Sequence, residues 1–184
     1  MKTHLLVSLR MTAVLVVVTC GIYPLAVSAL AQLAFREQAN GSFLTHDGRT
    51  IGSELIGQSF ASDRFFHSRP SASDYDATAS GGTNLGPTSK KLRDAVASAV
   101  TSYDVHADVP ADAVTSSASG LDPHISPANA NAQAARVARA NGVAVELIRA
   151  LVARSTEERF LGVFGEPRVN VLRLNLAVAE LKQR

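Results

Sequence analysis

No side chain between Arg10 and Arg36 carries a formal charge, so the run from Met11 to Phe35 limits this chain more than any other feature. As a helix rising 1.5 Å per residue it reaches roughly 37 Å, enough to cross a hydrocarbon core of about 30 Å with some tilt. Gly21, Pro24 and Gln32 interrupt the run. Gly and Pro are tolerated in membrane helices where the freed backbone groups find partners, so they predict a kink or a packed face. Lys2 and Arg10 precede the run, and cations at the end of a span stay in the cytoplasm. The expected layout is therefore a cytoplasmic stretch 1–10, a span 11–35 and a body 36–184 on the outer side. A secretory signal peptide is the rival reading, with the same two cations as its basic start, Met11 to Leu25 as its apolar stretch and Ala29-Leu30-Ala31 as its cleavage site. Both readings export the body. Cys20 follows Thr19, where lipid attachment calls for Gly or Ala, so it reads as apolar filler.

Residues 36–184 are enough for one ordinary domain with a real core. Eighteen basic and 16 acidic side chains leave a formal charge of +2, too balanced to require nucleic acid or an acidic polymer as partner. The single cysteine lies inside the apolar run, so the body holds no disulfide and depends on packing. Trp is absent and aromatics make up 5%, which leaves no stacking platform for sugars or bases.

Arg36 to Gln38 extends the helix by a turn before the stop signal Asn40-Gly41. Ser42-Phe43-Leu44 and Thr50-Ile51 flank the polar turn His46-Asp47-Gly48-Arg49, which predicts a hairpin. Asp63 to Pro87 is a long loop dense in Ser, Asp, Gly and Pro, anchored by Phe65, Phe66 and Tyr75. Thr88 caps a helix from Ser89 to Tyr103 whose stripe Leu92, Val96, Ala99, Val100 and Tyr103 should face the core. After Pro110, Val114 to Ala118 suits a second strand. Pro127 to Ala140 and Val143 to Arg154 read as two helices separated by Asn141-Gly142. Ser155 to Gly165 reads as a loop or short turn, Glu166 and Arg168 as a surface ion pair, and Asn170 as the cap of a last helix with the stripe Val171, Leu174, Val178 and Leu181. The sum is an α/β chain: one N-terminal membrane helix followed by a mixed α+β domain with a small sheet and about four helices.

Several local patterns suggest chemistry. Gly81 and Gly86 have the separation of a phosphate-binding loop, but Pro87 stands where its Lys belongs and offers no N–H, so a glycine-rich turn is the plainer reading. Asp122, His124 and Ser126 lie close together between Gly120 and Pro127. Nine residues of sequence do not set the geometry of a catalytic triad, and an Asx turn at Asp122 with Ser126 capping a helix begun by Pro127 accounts for them. His46, His67, His106 and His124 lack a paired metal-binding spacing. The helix pair around Gly142 also fits a helix-turn-helix, with Ala138, Val143 and Ile148 at suitable positions and Arg136, Arg139, Arg149 and Arg154 as phosphate contacts. Export of the body argues against that use.

Taken in order, the single span, Gly57-Gln58-Ser59-Phe60, Phe66 through Arg69-Pro70-Ser71-Ala72, Ser80 through Pro87, Ser119 through Pro127 and Gly165 through Leu172 resemble the C subunits of bacterial Kdp potassium-transporting P-type ATPases. The motifs cover essentially the whole chain, and Thr83 stands where Ser is expected. The resemblance implies a non-catalytic subunit without a cofactor of its own, an uncleaved anchor in the bacterial inner membrane, and a complex whose other subunits conduct potassium and hydrolyse ATP. It also implies a catalytic chaperone that raises the pump's apparent affinity for ATP, with Ser80, Gly81, Gly82, Asn84 and Gln133 as candidate nucleotide or partner contacts. Ser119, Gly120, Asp122, His124 and Ser126 are the candidate partner-binding loop. A body on the outer face cannot touch cytoplasmic ATP, so an external cap acting through the membrane subunits is the preferred expectation. Ala26, Ser28, Ala29 and Ala31 are small enough to let neighbouring helices approach the span closely.

Overall fold

The structure is a computed structural model that describes residues 2–102 and 108–181. Tyr103 and His106 lie outside the described residues. Two compact units are present, Met1–Ser53 and Glu54–Arg184.

In the first unit an unbroken helix of 33 residues runs from Lys2 to Ala34, with none of its residues buried. It consists of α1 (Lys2–Val16), a widened π-helical turn (Val17–Ile22) and α2 (Tyr23–Ala34). The interruption expected at Gly21 and Pro24 takes the form of that π turn, in which the Tyr23 N–H donates to the carbonyl of Val18, five residues back. Pro24 then falls directly after the π turn, at the start of α2. At Phe35 the backbone leaves the helical region, and one further turn, α3 (Arg36–Ala39), follows. The amides of Gln32 and Asn40 exchange two hydrogen bonds of 3.2 and 3.3 Å across this break. The predicted hairpin is β1 (Phe43–His46) and β2 (Arg49–Ser53), antiparallel, with Asp47 and Gly48 both at positive φ as a two-residue hairpin turn requires. Ser53 Oγ donates to the carbonyl of Gly41 at 2.7 Å and ties off the hairpin.

The second unit contains α4 (Lys90–Ser102), α5 (Ala111–Val114), β3 (His124–Ile125), α6 (Pro127–Asn141), α7 (Val145–Arg154), β4 (Thr156–Glu157), β5 (Arg168–Asn170) and α8 (Val171–Glu180). β5 runs between β3 and β4, antiparallel to both. The core joins Ile125 and Val169 of this sheet to Ala130, Ala134 and Val137 of α6, Ile148 and Val152 of α7, Leu174 and Val178 of α8, and Phe66 from a loop. Alanines on α6 let α7 pack closely; Gly142, left-handed at φ +69, ends α6 and reverses the chain. Two of the three expected helix caps stand: Ser126 Oγ accepts from Asn129 N at 3.0 Å, and Asn170 Oδ1 accepts from Arg173 N at 3.1 Å; α4 is capped not by Thr88 but by Ser89, whose Oγ accepts from Leu92 N at 3.4 Å.

Four further local expectations need correction. Val114 to Ala118 is not a strand, because its polar backbone is satisfied by loops: Ser117 N–H donates to the carbonyl of Pro70 and Arg69 Nη2 donates to that of Ser116. The α4 stripe stays outside the core; Leu92, Val96 and Ala99 are half-buried and Val100 is exposed. Ser155 to Gly165 contains the expected short turn, closed at Phe160 and Phe164, but also the strand β4, which the sequence did not indicate. Glu166 pairs with Arg159 at 2.7 Å and Arg168 with Glu157 at 3.0 Å, because the turn places each residue opposite a partner on the other arm of the chain.

Candidate functional site

Residues 63–67 have no strand beside them, yet each of their five carbonyls accepts a hydrogen bond from a side chain. Arg136 Nη1 donates to Asp63 at 2.8 Å and Phe65 at 3.1 Å, and Asn141 donates to Arg64 at 2.8 Å. Asn175 of α8 then grips Phe66 at both ends, accepting from its N–H at 2.7 Å and donating to its carbonyl at 2.9 Å. Gln133 of α6 does the same to His67, at 2.7 and 3.1 Å. Such amide pairs imitate a neighbouring strand and satisfy backbone groups that would be costly to bury unpaired. They hold Phe66 in the core and deliver the following residues, Arg69 to Tyr75, to the candidate loops.

There the chain packs backbone against backbone. Gly57 N–H donates to the carbonyl of Leu121 at 2.8 Å, and a methyl group at Gly57 would stand 2.5 Å from the carbonyl oxygen of Asp122. Gly120, at φ +70, abuts Ser73 Oγ and the Gly81 carbonyl, which leaves no room for a side chain. Ser71 Oγ donates to the carbonyl of Gly120 at 2.6 Å while accepting from Tyr75 N–H at 2.9 Å, and Tyr75 OH donates to the carbonyl of Arg69 at 2.6 Å. Burial raises the pKa of that phenol, so it remains a donor. Arg69 bridges to Asp122 at 3.1 Å on the wall of an open cleft of about 460 Å³, whose apolar side is formed by Leu55, Ile56, Leu121 and Pro123.

The predicted residues divide between this junction and other places. Ser80 and Gly81 lie along Ser119, whose carbonyl accepts from Ser80 Oγ at 3.1 Å and from Gly81 N–H at 2.8 Å. Gly82 is close against Ala118, and Asn84 is exposed with a left-handed backbone at φ +53. Asp122 accepts from its partner Arg69 and closes the Asx turn by accepting from His124 N–H at 3.0 Å. Ser126 donates its hydroxyl to Asp112 at 2.9 Å. Gln133 is buried on α6, and besides gripping His67 it donates to Asn129 at 2.9 Å and accepts from Arg136 at 2.7 Å. Arg136, read from the sequence as a phosphate contact, spends its guanidinium on these internal acceptors, while Arg139, Arg149 and Arg154 are exposed. Ala26, Ser28 and Ala29 are exposed on α2, and Ala31 is half-covered.

Burial holds the pKa of both His67 and His124 below the usual imidazole value, reinforced by Arg136 beside the first and Arg168 beside the second. Both are therefore neutral at pH 7. Among the described residues no three His, Cys, Asp or Glu side chains converge on a metal position.

Asp112 was not singled out from the sequence. Its carboxylate accepts from Ser126 N–H, Ser126 Oγ and Asn129 Nδ2 and so orders the start of α6. Asn175 and Asn129 were also passed over, although an amide amid an apolar helical stripe is a readable sign of a buried polar contact.

A family model described as KdpC: K+-transporting ATPase, c chain, matches residues 5–180. Three proteins, each bearing the name Potassium-transporting ATPase KdpC subunit, align with nearly all of the chain. The one from Allorhizobium ampelinum is 54% identical over 185 residues, covering 97% of this chain and 96% of that protein. The one from Koribacter versatilis is 51% identical over 181 residues, covering 96% and 94%. The one from Mycobacterium tuberculosis is 50% identical over 189 residues, covering 98% and 100%. With the apolar helix and the body inside a single match, the chain belongs to the KdpC family.

Proposed function

We propose that this chain is the accessory subunit of an ATP-driven, high-affinity potassium uptake pump, assembling and stabilising the complex without a catalytic centre or cofactor of its own. The observation that carries the reading is the family match from residue 5 to residue 180. Its partners are the potassium-conducting and ATP-hydrolysing subunits, which handle potassium and ATP, and the lipid bilayer. The helix Lys2–Ala34 remains attached as a single span of the bacterial inner membrane, with its N-terminus in the cytoplasm and the body on the outer face. Lys2 and Arg10 ahead of the charge-free run support that orientation.

In this arrangement the body acts on ATP use only through the membrane subunits, as a cap on the outer entrance of the potassium path. Ser80 to Asn84 and Ser119 to Ser126 serve as partner contacts. Two engaged groups favour this over nucleotide binding: Gly81 N–H already donates to Ser119, and both ends of the Gln133 amide are taken within the fold. The span packs through Ala26, Ser28, Ala29 and Ala31.

The test is purification of the full-length tagged chain from membranes that also contain the pump subunits. Co-elution of the conducting and hydrolysing subunits, with potassium-stimulated ATPase activity, is expected. Elution without them contradicts the reading. Ala29→Phe should lower the recovery of companion subunits while leaving the melting of the body unchanged; full recovery would remove the small-residue packing from the account.

A further inference from the structure

Between β4 and β5 the chain forms a tight apolar tip. Phe160 and Phe164 exchange both backbone hydrogen bonds at 2.9 Å, and behind them Arg159 and Glu166 pair at 2.7 Å. Phe160, Leu161, Val163 and Phe164 are 72, 76, 71 and 65% exposed. Leu161 and Gly162 both adopt left-handed backbone conformations, φ +52 and +74. Gly, Asn and Asp suit such positions, whereas a leucine there is strained and in this fold gains little burial in return. A residue disfavoured both by its backbone and by its exposure is expected where it serves something outside the chain.

Area and charge narrow what that is. The four side chains present on the order of 500 Å², within the range of functional surface patches. That falls short of the ~800 Å² per partner that a standard stable interface uses, so two tips cannot by themselves hold a dimer together. Around the base stand Glu157, Glu158 and Glu166 against Arg159 and Arg168. Anionic lipid surfaces attract basic clusters, which this surround is not. A closed turn that presents aromatic and aliphatic anchors in a fixed geometry suits a concave protein pocket, because little freedom is lost on docking. We propose that residues 160–164 are an anchor that inserts into an apolar pocket on a companion membrane subunit of the pump, forming one centre of a larger interface. This rests on the reading of the chain as a pump subunit.

A photoreactive benzoylphenylalanine placed at Leu161 of the full-length chain, in native membranes holding the assembled pump, tests the contact. An adduct with one companion subunit is expected; adducts only with lipid or with a second copy overturn the proposal. In parallel, Leu161→Asn combined with Phe164→Ser should leave the melting of the chain in detergent unchanged and speed its release from the purified complex by roughly tenfold or more. Release at the wild-type rate overturns the proposal. If the wild-type chain brings down no pump subunit, the functional reading itself fails. If it does, and the tip yields lipid adducts or its variant releases normally, the anchor alone fails.

Discussion

Residues 63–67 and 160–164 each contain two phenylalanines in short non-helical backbone, yet Phe66 is wholly buried while Phe160 is 72% exposed. In the first segment the order is supplied by distant side chains: Arg136, Asn141, Asn175 and Gln133 between them take every carbonyl. In the second, the backbone closes on itself and its side chains face outward. A well-ordered backbone therefore does not imply a role in the core. The first segment uses phenylalanine to stabilise the chain, and the second holds it ready for something else.

The largest effect should come from exchanging these roles. Phe66→Ala is expected to destabilise the body by about 3–5 kcal/mol, and Phe160→Ala by no more than about 0.5 kcal/mol, in urea or thermal unfolding of the full chain in detergent. Comparable losses at both sites would break the comparison. Next comes Asn175→Ala, which leaves the Phe66 N–H and carbonyl without partners and should cost about 2–3 kcal/mol. A neutral result would mean that the amide clamp is not what orders residues 63–67. Gly57→Ala should follow at about 1–3 kcal/mol, because its methyl group meets the Asp122 backbone rather than a movable side chain.

The smallest effect is a pH dependence confined to the body. His67 faces Arg136 and Asp63, and burial keeps its pKa below the usual value of about 6.5, as it does for His124. As pH falls below about 6.5 the unfolded chain takes up these protons first, so stability should drop. The loss levels off once pH passes below the folded values, and above about 6.5 neither imidazole changes stability. His67→Gln should flatten part of that slope, whereas Leu161→Asn should leave it intact. A gain in stability on acidification through this window would reverse the assigned direction.

What was legible in the sequence acts over short distances. Ser126 and Asn170 cap helices three residues ahead, Asp122 closes a turn two residues ahead, and Asp47-Gly48 dictates its own hairpin. The charge-free run needed no tertiary knowledge at all. What stayed hidden depends on partners far along the chain: Asn175 reaches Phe66 across 109 positions and Gln133 reaches His67 across 66. Val114 to Ala118 resembles a strand by residue type, but loops at Arg69 and Pro70 occupy its backbone. Glu166 and Arg168 resemble a pair by adjacency, but the turn gives each a cross-chain partner. In the candidate site, the glycines at 57, 81, 82 and 120 were visible as motifs, while the packing of the first three against residues 118–122 became apparent only in three dimensions.

We proposed that a single span holds this body on the outer face, away from cytoplasmic ATP. The most direct test of that proposal is labelling of single cysteines, Thr50→Cys and Ala150→Cys, both at exposed positions, in a Cys20→Ala background. A membrane-impermeant maleimide would be applied to cells whose outer barrier is opened and whose inner membrane is intact. Labelling at both positions is expected. Protection of both until the inner membrane is broken would place the body in the cytoplasm and contradict it.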